Sequence, residues 1–226
     1  MTEKGRLYGV GVGPGDAELL TLKAVRLIRS CDVIAIPQKD RDRCVAFRIA
    51  AEAVPEVLAK PILALDMPMT RDGALRERAY AAAAERLISV LSTGKTVAFL
   101  TLGDPTVYST YGYLHRRITQ SGYAAEMIPG VPSFCAAAAA LGEPLCMDEE
   151  PLHLLLGGPA DAARPGTRVF MKGGVKALRE RLRDHKGPIL GARNVGMEDQ
   201  QLFRSLNDIP DDTGYFTLII AKEKQP

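Results

Sequence analysis

Over residues 1–128 the chain alternates short apolar runs with stretches of helical periodicity, and that alternation restricts the fold more than any other feature of the sequence. Residues 6–12 read as a buried strand, after which Leu19, Leu22, Val25 and Ile28 recur at helical spacing. Cys31-Asp32 closes that helix before the apolar run Val33-Ile34-Ala35-Ile36, which is a second strand. The pattern continues with a helix over 45–53, a strand over 62–65, a helix over 74–92, a strand over 96–102, a helix over 111–121 and a strand over 125–128. Strands separated by helices pair in parallel, because each crossover returns the chain to the same end of the sheet and lays its helix on a face.

Pro129-Gly130-Val131-Pro132 breaks the pattern with two prolines and a glycine. Beyond it comes an Ala-rich helix over 133–141, then strands over 152–156, 167–171, 189–191 and 215–221, with one further helix over 175–184. The change from alternation to a strand-rich half predicts two α/β domains, 1–128 and 129–226, with a ligand in the groove between them.

Composition limits the partners. Across 226 residues, 29 Lys and Arg stand against 27 Asp and Glu, so no global field exists to grip nucleic acid. No apolar run reaches the roughly 18 residues that a membrane helix needs. Cys31, Cys44, Cys135 and Cys146 lie too far apart for a zinc pair or a redox Cys-x-x-Cys, and read as small buried apolar residues. Met1-Thr2-Glu3-Lys4-Gly5 leads straight into a strand without signal-peptide features, so a cytoplasmic setting is the expectation. His115, His153 and His185 are dispersed, and no intrinsic metal is expected.

Three loops can carry chemistry. Gly9-Val10-Gly11-Val12-Gly13-Pro14-Gly15-Asp16 resembles a dinucleotide turn, but Pro14 removes an amide donor and Asp32 precedes the second strand instead of ending it. A tight turn explains these glycines equally well. Leu102-Gly103-Asp104-Pro105 ends a buried strand, where ligands of open α/β sheets gather. There Gly103 can admit a ligand to bare backbone, and Asp104 either accepts from that ligand or closes an Asx turn. In Pro129-Gly130-Val131-Pro132-Ser133, the serine suits a helix cap and a ligand donor alike.

In order and spacing these loops, together with Glu18-Leu19-Leu20-Thr21-Leu22-Lys23-Ala24, resemble the tetrapyrrole methylases over nearly the whole chain. Met67-Pro68-Met69-Thr70-Arg71-Asp72, Thr106-Val107-Tyr108-Ser109-Thr110-Tyr111 and Gly214-Tyr215-Phe216-Thr217-Leu218-Ile219 are similar to the members that methylate carbon 20 of precorrin-2 or cobalt-factor II. The resemblance implies a two-domain fold with a mixed sheet flanked by helices in each domain, an active site in the interdomain cleft, S-adenosylmethionine as cosubstrate, a tetrapyrrole acceptor and a homodimer. Carried over by motif, donor contacts fall to Pro14, Gly103, Asp104, Val107, Ser133, Met171 and Val195, although Asn194-Val195-Gly196-Met197 departs from the commoner Arg-Ala-Thr form. Arg41, Arg43, Arg71, Arg116 and Arg117 are candidates for the acceptor's carboxylates, with solvated surface arginine the alternative for each. Tyr108, Tyr111 or Tyr113 is a candidate to relay the proton the macrocycle sheds, or else a packed aromatic, with Tyr108 and Tyr111 preferred. Another tetrapyrrole methylase activity, and a noncatalytic nucleotide-binding module, remain the competing readings.

Overall fold

A computed structural model of the chain describes residues 4–156, 164–171, 174–212 and 214–223. The chain divides into two compact units, Met1–Pro132 and Ser133–Pro226.

The first unit holds β1 (Arg6–Gly11), α1 (Leu22–Ser30), β2 (Val33–Ile36), α2 (Val45–Ala53), β3 (Ile62–Ala64), α3 (Gly73–Leu91), β4 (Val97–Thr101), α4 (Tyr111–Gln120) and β5 (Ala124–Ile128). Among the described residues its sheet runs β3-β2-β4-β1-β5, and every pairing is parallel. A mixed sheet was implied for each half; here the helical crossovers leave no strand reversed. The strands explain the layering by their alternation of faces. Val10, Ile34, Ile36, Ala98 and Leu100 join the cluster under α1 and α2. Leu7, Val33, Ala35, Val97 and Phe99 join the cluster under α3 and α4. Burial on both faces is why these strands read as continuous apolar runs instead of alternating ones.

Local signals set the helix starts. Asp16 caps a single 3-10 turn, Ala17–Leu19, and α1 begins three residues later than its apolar spacing suggests, because the Thr21 hydroxyl accepts from Ala24 N at 3.2 Å. Asp72 opens α3 by accepting from Ala74 N and Leu75 N at 2.9 and 3.1 Å.

The second unit holds α5 (Ser133–Leu141), β6 (Leu152–Leu155), β7 (Thr167–Phe170), α6 (Val175–Arg181), β8 (Ile189–Arg193), β9 (Gln201–Phe203) and β10 (Thr217–Ala221). Its sheet runs β6-β7-β10-β8-β9, parallel only between β6 and β7 and antiparallel in the other pairings. The pattern did not predict β9: three residues with one half-buried side chain, Phe203, carry too little periodicity to register. One sheet face packs on α6 through Leu155, Phe170, Leu178 and Ile219.

Cys31 and Cys44 are buried as expected, whereas Cys135 and Cys146 are exposed. Spacing alone cannot distinguish the two cases. Burial pushes the Cys31 and Cys44 thiols above the ordinary cysteine value, which keeps them protonated and inert. Among the described residues, no helix is long and apolar enough to cross a membrane.

Candidate active site

In a parallel sheet all carboxyl ends share one edge, so the loops after β1, β4 and β5 are neighbours. Backbone bonds stitch them together. Val12 N donates to Thr101 O at 3.0 Å, Gly103 N donates to Gly13 O at 2.8 Å, and Gly13 N returns a bond to Gly103 O at 3.3 Å. The loop after β5 closes on the same point. A Cβ on Gly130 would stand 2.2 Å from Gly103 O, a separation that only glycine permits.

Asp104, 9% exposed, locks this arrangement. One carboxylate oxygen accepts from Thr106 N at 2.7 Å and from the Thr106 hydroxyl; the other accepts from Gly130 N at 3.0 Å. The bond to Thr106 N is the Asx turn of the alternative reading, and the bond to Gly130 N ties two loops across the sheet edge. Asp104 is therefore occupied as a strut. Gly103 itself has φ +68°, and nothing lies within 4 Å of where its Cβ would be. A left-handed backbone facing open space is a cradle that a side chain would fill.

Around this point Pro14 is buried and Val107 half-buried. Tyr108, half exposed, holds φ +49°, an uncommon conformation for a residue with a side chain. Tyr111 belongs to the core. Its ring lies against the Gly9 backbone, its hydroxyl donates to Glu126 O at 2.7 Å, and burial raises the phenol far above its ordinary value. With no exposed surface and its hydroxyl bonded to a core carbonyl, Tyr111 packs as the aromatic of the alternative reading. The signal was in the sequence: Tyr111, Leu114 and Ile118 form the apolar stripe of α4.

The five arginines separate by environment. Arg41 pairs with Asp42 at 3.0 Å and lies over the Phe47 ring at 5.6 Å. Arg117 is drawn to Glu77 and ties α4 to α3. Among the described residues Arg43, Arg71 and Arg116 form no ion pair and are exposed. Arg43 and Arg71 follow β2 and β3 at the carboxyl edge of the sheet, while Arg116 lines a shallow groove between α4 and Met127.

In the second unit Ser133 is the first residue of α5, Met171 follows β7, and Val195, 7% exposed, lies two residues past β8. Met171 N donates to Leu155 O at 2.9 Å, extending the β6–β7 ladder. Of the histidines, His153 bonds Pro165 O at 2.9 Å, His185 bridges Arg168 and Lys222 O, and His115 packs on Tyr111. Among the described residues no three His, Cys, Asp or Glu side chains group to hold a metal.

The family model "Tetrapyrrole (Corrin/Porphyrin) Methylases" matches residues 6–209, which include all three loops. The chain belongs to the tetrapyrrole methylase family. Within this family it is 39% identical over 170 residues to a Precorrin-2 C(20)-methyltransferase of a Sinorhizobium species, covering 70% of the chain and 66% of that relative. It is 40% identical over 164 residues to the cobalamin biosynthesis protein CobIJ of Mycobacterium bovis, covering 70% of the chain but 32% of CobIJ. The chain thus spans about a third of that relative's length. Among solved structures, the uroporphyrin-III C-methyl transferase of Thermus thermophilus complexed with S-adenyl homocysteine superposes with TM-score 0.64 at 25% identity, covering 96% of each chain.

Gly130 lies in the third loop singled out from the sequence, but that reading gave the loop's role to Ser133 and took the prolines and glycine as the break between domains. A glycine between prolines marks a turn equally well whether the turn is a hinge or a close backbone contact.

Proposed function

We propose that this methylase transfers a methyl group from S-adenosylmethionine to carbon 20 of precorrin-2 or cobalt-factor II during corrin-ring construction. The open space at Gly103, on the carboxyl edge of a parallel sheet, carries the donor half of this reading. The acceptor rests on the C(20)-methyltransferase name of the Sinorhizobium relative.

When bound, the cosubstrate supplies an electrophilic methyl on a sulfonium, and the partly reduced macrocycle supplies an electron-rich carbon. The chain needs no nucleophile of its own. Its task is to align two reactants and to exclude water. Gly103 brings bare backbone to the donor, Pro14 and Val107 wall the pocket with apolar surface, and Asp104 fixes the loops that hold them. Ser133, Met171 and Val195 complete the proposed donor contacts. Arg43 and Arg71, exposed and without an ion-pair partner among the described residues, take acceptor carboxylates; Arg41 and Arg117 are already engaged. Tyr108 is the proton relay of this proposal, Tyr111 belonging to the core and Tyr113 packing on the Tyr80 ring. The homodimer that the resemblance implies and the cytoplasmic setting expected from the sequence are part of the same proposal.

Calorimetric titration with S-adenosylhomocysteine tests the donor site. Gly103→Arg should abolish binding while far-UV circular dichroism stays native. Gly103→Ala, which costs about 1–2 kcal/mol of left-handed strain without filling the space, separates strain from occlusion. Retained binding in Gly103→Arg moves the pocket elsewhere. Anaerobic turnover with both acceptors, followed by product mass and the NMR position of the new methyl, tests the reaction.

A further inference from the structure

Tyr215 and Phe216, just ahead of β10, are not yet accounted for. They are large, apolar and exposed, at 55% and 38%, and their rings meet edge to face with centroids 5.2 Å apart. Exposing two aromatic rings side by side is costly in water and unusual without a ligand or partner to cover them. Nor is the pair a loose loop tip. Asn194 N donates to Phe216 O at 3.0 Å, which continues the β8–β10 ladder one step beyond Thr217 and Arg193.

Topology fixes what surrounds the pair. β10 lies between β7 and β8 and runs antiparallel to both, so its beginning shares an end of the sheet with their carboxyl termini. Met171 follows β7 and Val195 follows β8; the aromatic pair therefore enters the sheet between the two residues proposed here for the donor. Exposure is graded along this edge. Val195 is buried, Met171 half-buried, and the two rings stand out beyond them. A compact ligand belongs to the recessed positions and a broad one to the outer ones.

We propose that Tyr215 and Phe216 hold the rim of the tetrapyrrole acceptor, one ring meeting it with its face and the other with its edge, as their 82° interplanar angle dictates, and so select a broad, partly conjugated macrocycle. This rests on the methylase reading above. The pair contributes contact area and orientation and takes no part in bond making.

The test uses the full chain, S-adenosylhomocysteine titrations, and initial rates with precorrin-2 and cobalt-factor II at saturating donor. Tyr215→Leu and Phe216→Leu keep apolar bulk and remove the aromatic faces. Each should raise the acceptor KM about tenfold, the scale of one aromatic contact, and leave the affinity for S-adenosylhomocysteine within about twofold. Tyr215→Phe should restore the wild-type KM, which a merely structural role of the hydroxyl would not allow. An equal loss of S-adenosylhomocysteine affinity would mean that the rings hold the donor, and overturns the proposal. An unchanged KM overturns it too, as does a change confined to self-association measured by sedimentation, which would make the pair a protein contact. A wild-type chain that binds S-adenosylhomocysteine yet methylates neither acceptor defeats the reading of the reaction itself, an outcome distinct from the others.

Discussion

The two sheets build the edges proposed here for the ligand by different means. In the first unit every strand runs the same way, so a single edge collects all the carboxyl ends; backbone bonds join Gly13 to Gly103 there, and Gly130 closes on them through its close approach to Gly103 O and its bond to the Asp104 carboxylate. In the second unit the corresponding edge mixes the ends of β7 and β8 with the beginning of β10, which the Asn194 N to Phe216 O bond joins to the loop after β8. A parallel sheet advertises its site by direction alone. A mixed sheet has to be folded before its edges are known.

Matched glycine substitutions give the largest contrast. Gly130→Ala drives a Cβ into Gly103 O, and backbone cannot swing aside as a side chain can. We expect a loss of roughly 2–3 kcal/mol in urea unfolding, together with loss of S-adenosylhomocysteine binding. Gly142→Ala, in the second unit, meets nothing within 4 Å and bears only the strain of φ +70°, about 1–2 kcal/mol, with donor binding intact. Equal effects of the two would show that the three-loop weld is not special.

Next in size is Tyr111→Phe, which strips a buried hydrogen bond and should cost about 1–2 kcal/mol while turnover per folded molecule is unchanged. Burial raises the Tyr111 phenol in the folded state, so its contribution is complete below the ordinary value of 10.0 and is lost as pH rises toward the folded value. Wild-type stability should therefore decline in strong alkali, and the variant should lack this part of the decline. A selective collapse of turnover would reinstate Tyr111 as a participant.

The arginines sharpen the comparison at smaller amplitude. Arg71→Ala should raise the acceptor KM several-fold, an effect of about 1 kcal/mol, with donor affinity unchanged. Arg117→Ala, which loses its Glu77 partner, should alter stability and leave KM alone. Identical KM values for the two would return Arg71 to the solvated surface.

The smallest effect is at Asp32. The Thr96 backbone amide and then its hydroxyl bond this carboxylate and hold it below the ordinary aspartate range. Its stabilisation is present above the ordinary value of 3.8 and is lost as pH falls through the folded value, so Asp32→Asn should flatten the acid limb of the stability profile slightly. The carboxylate is largely exposed, and solvent keeps the amplitude small.

Much of the first unit was legible in residue order. Apolar runs bounded by turn residues located β1 to β5, and the glycine after β4 marked the edge at which to look for a ligand. The site was legible only in part. Gly103 stood out as a bare backbone position, but nothing in one dimension showed that Asp104 spends both its oxygens on the protein, that Arg117 turns to Glu77 while Arg71 does not, or that Tyr111 lies beneath the sheet edge it was expected to serve. β9 escaped because a three-residue edge strand has no period to detect.

By itself, then, the sequence determined the parallel architecture of the first unit and the residue types at its loops, since periodicity and glycine placement are local properties of the chain. Tertiary structure alone decided which polar groups are already bonded to one another, and which exposed rings share an edge with Met171 and Val195. Those pairings join residues far apart in the chain, and their partners are fixed only when strand order and direction are.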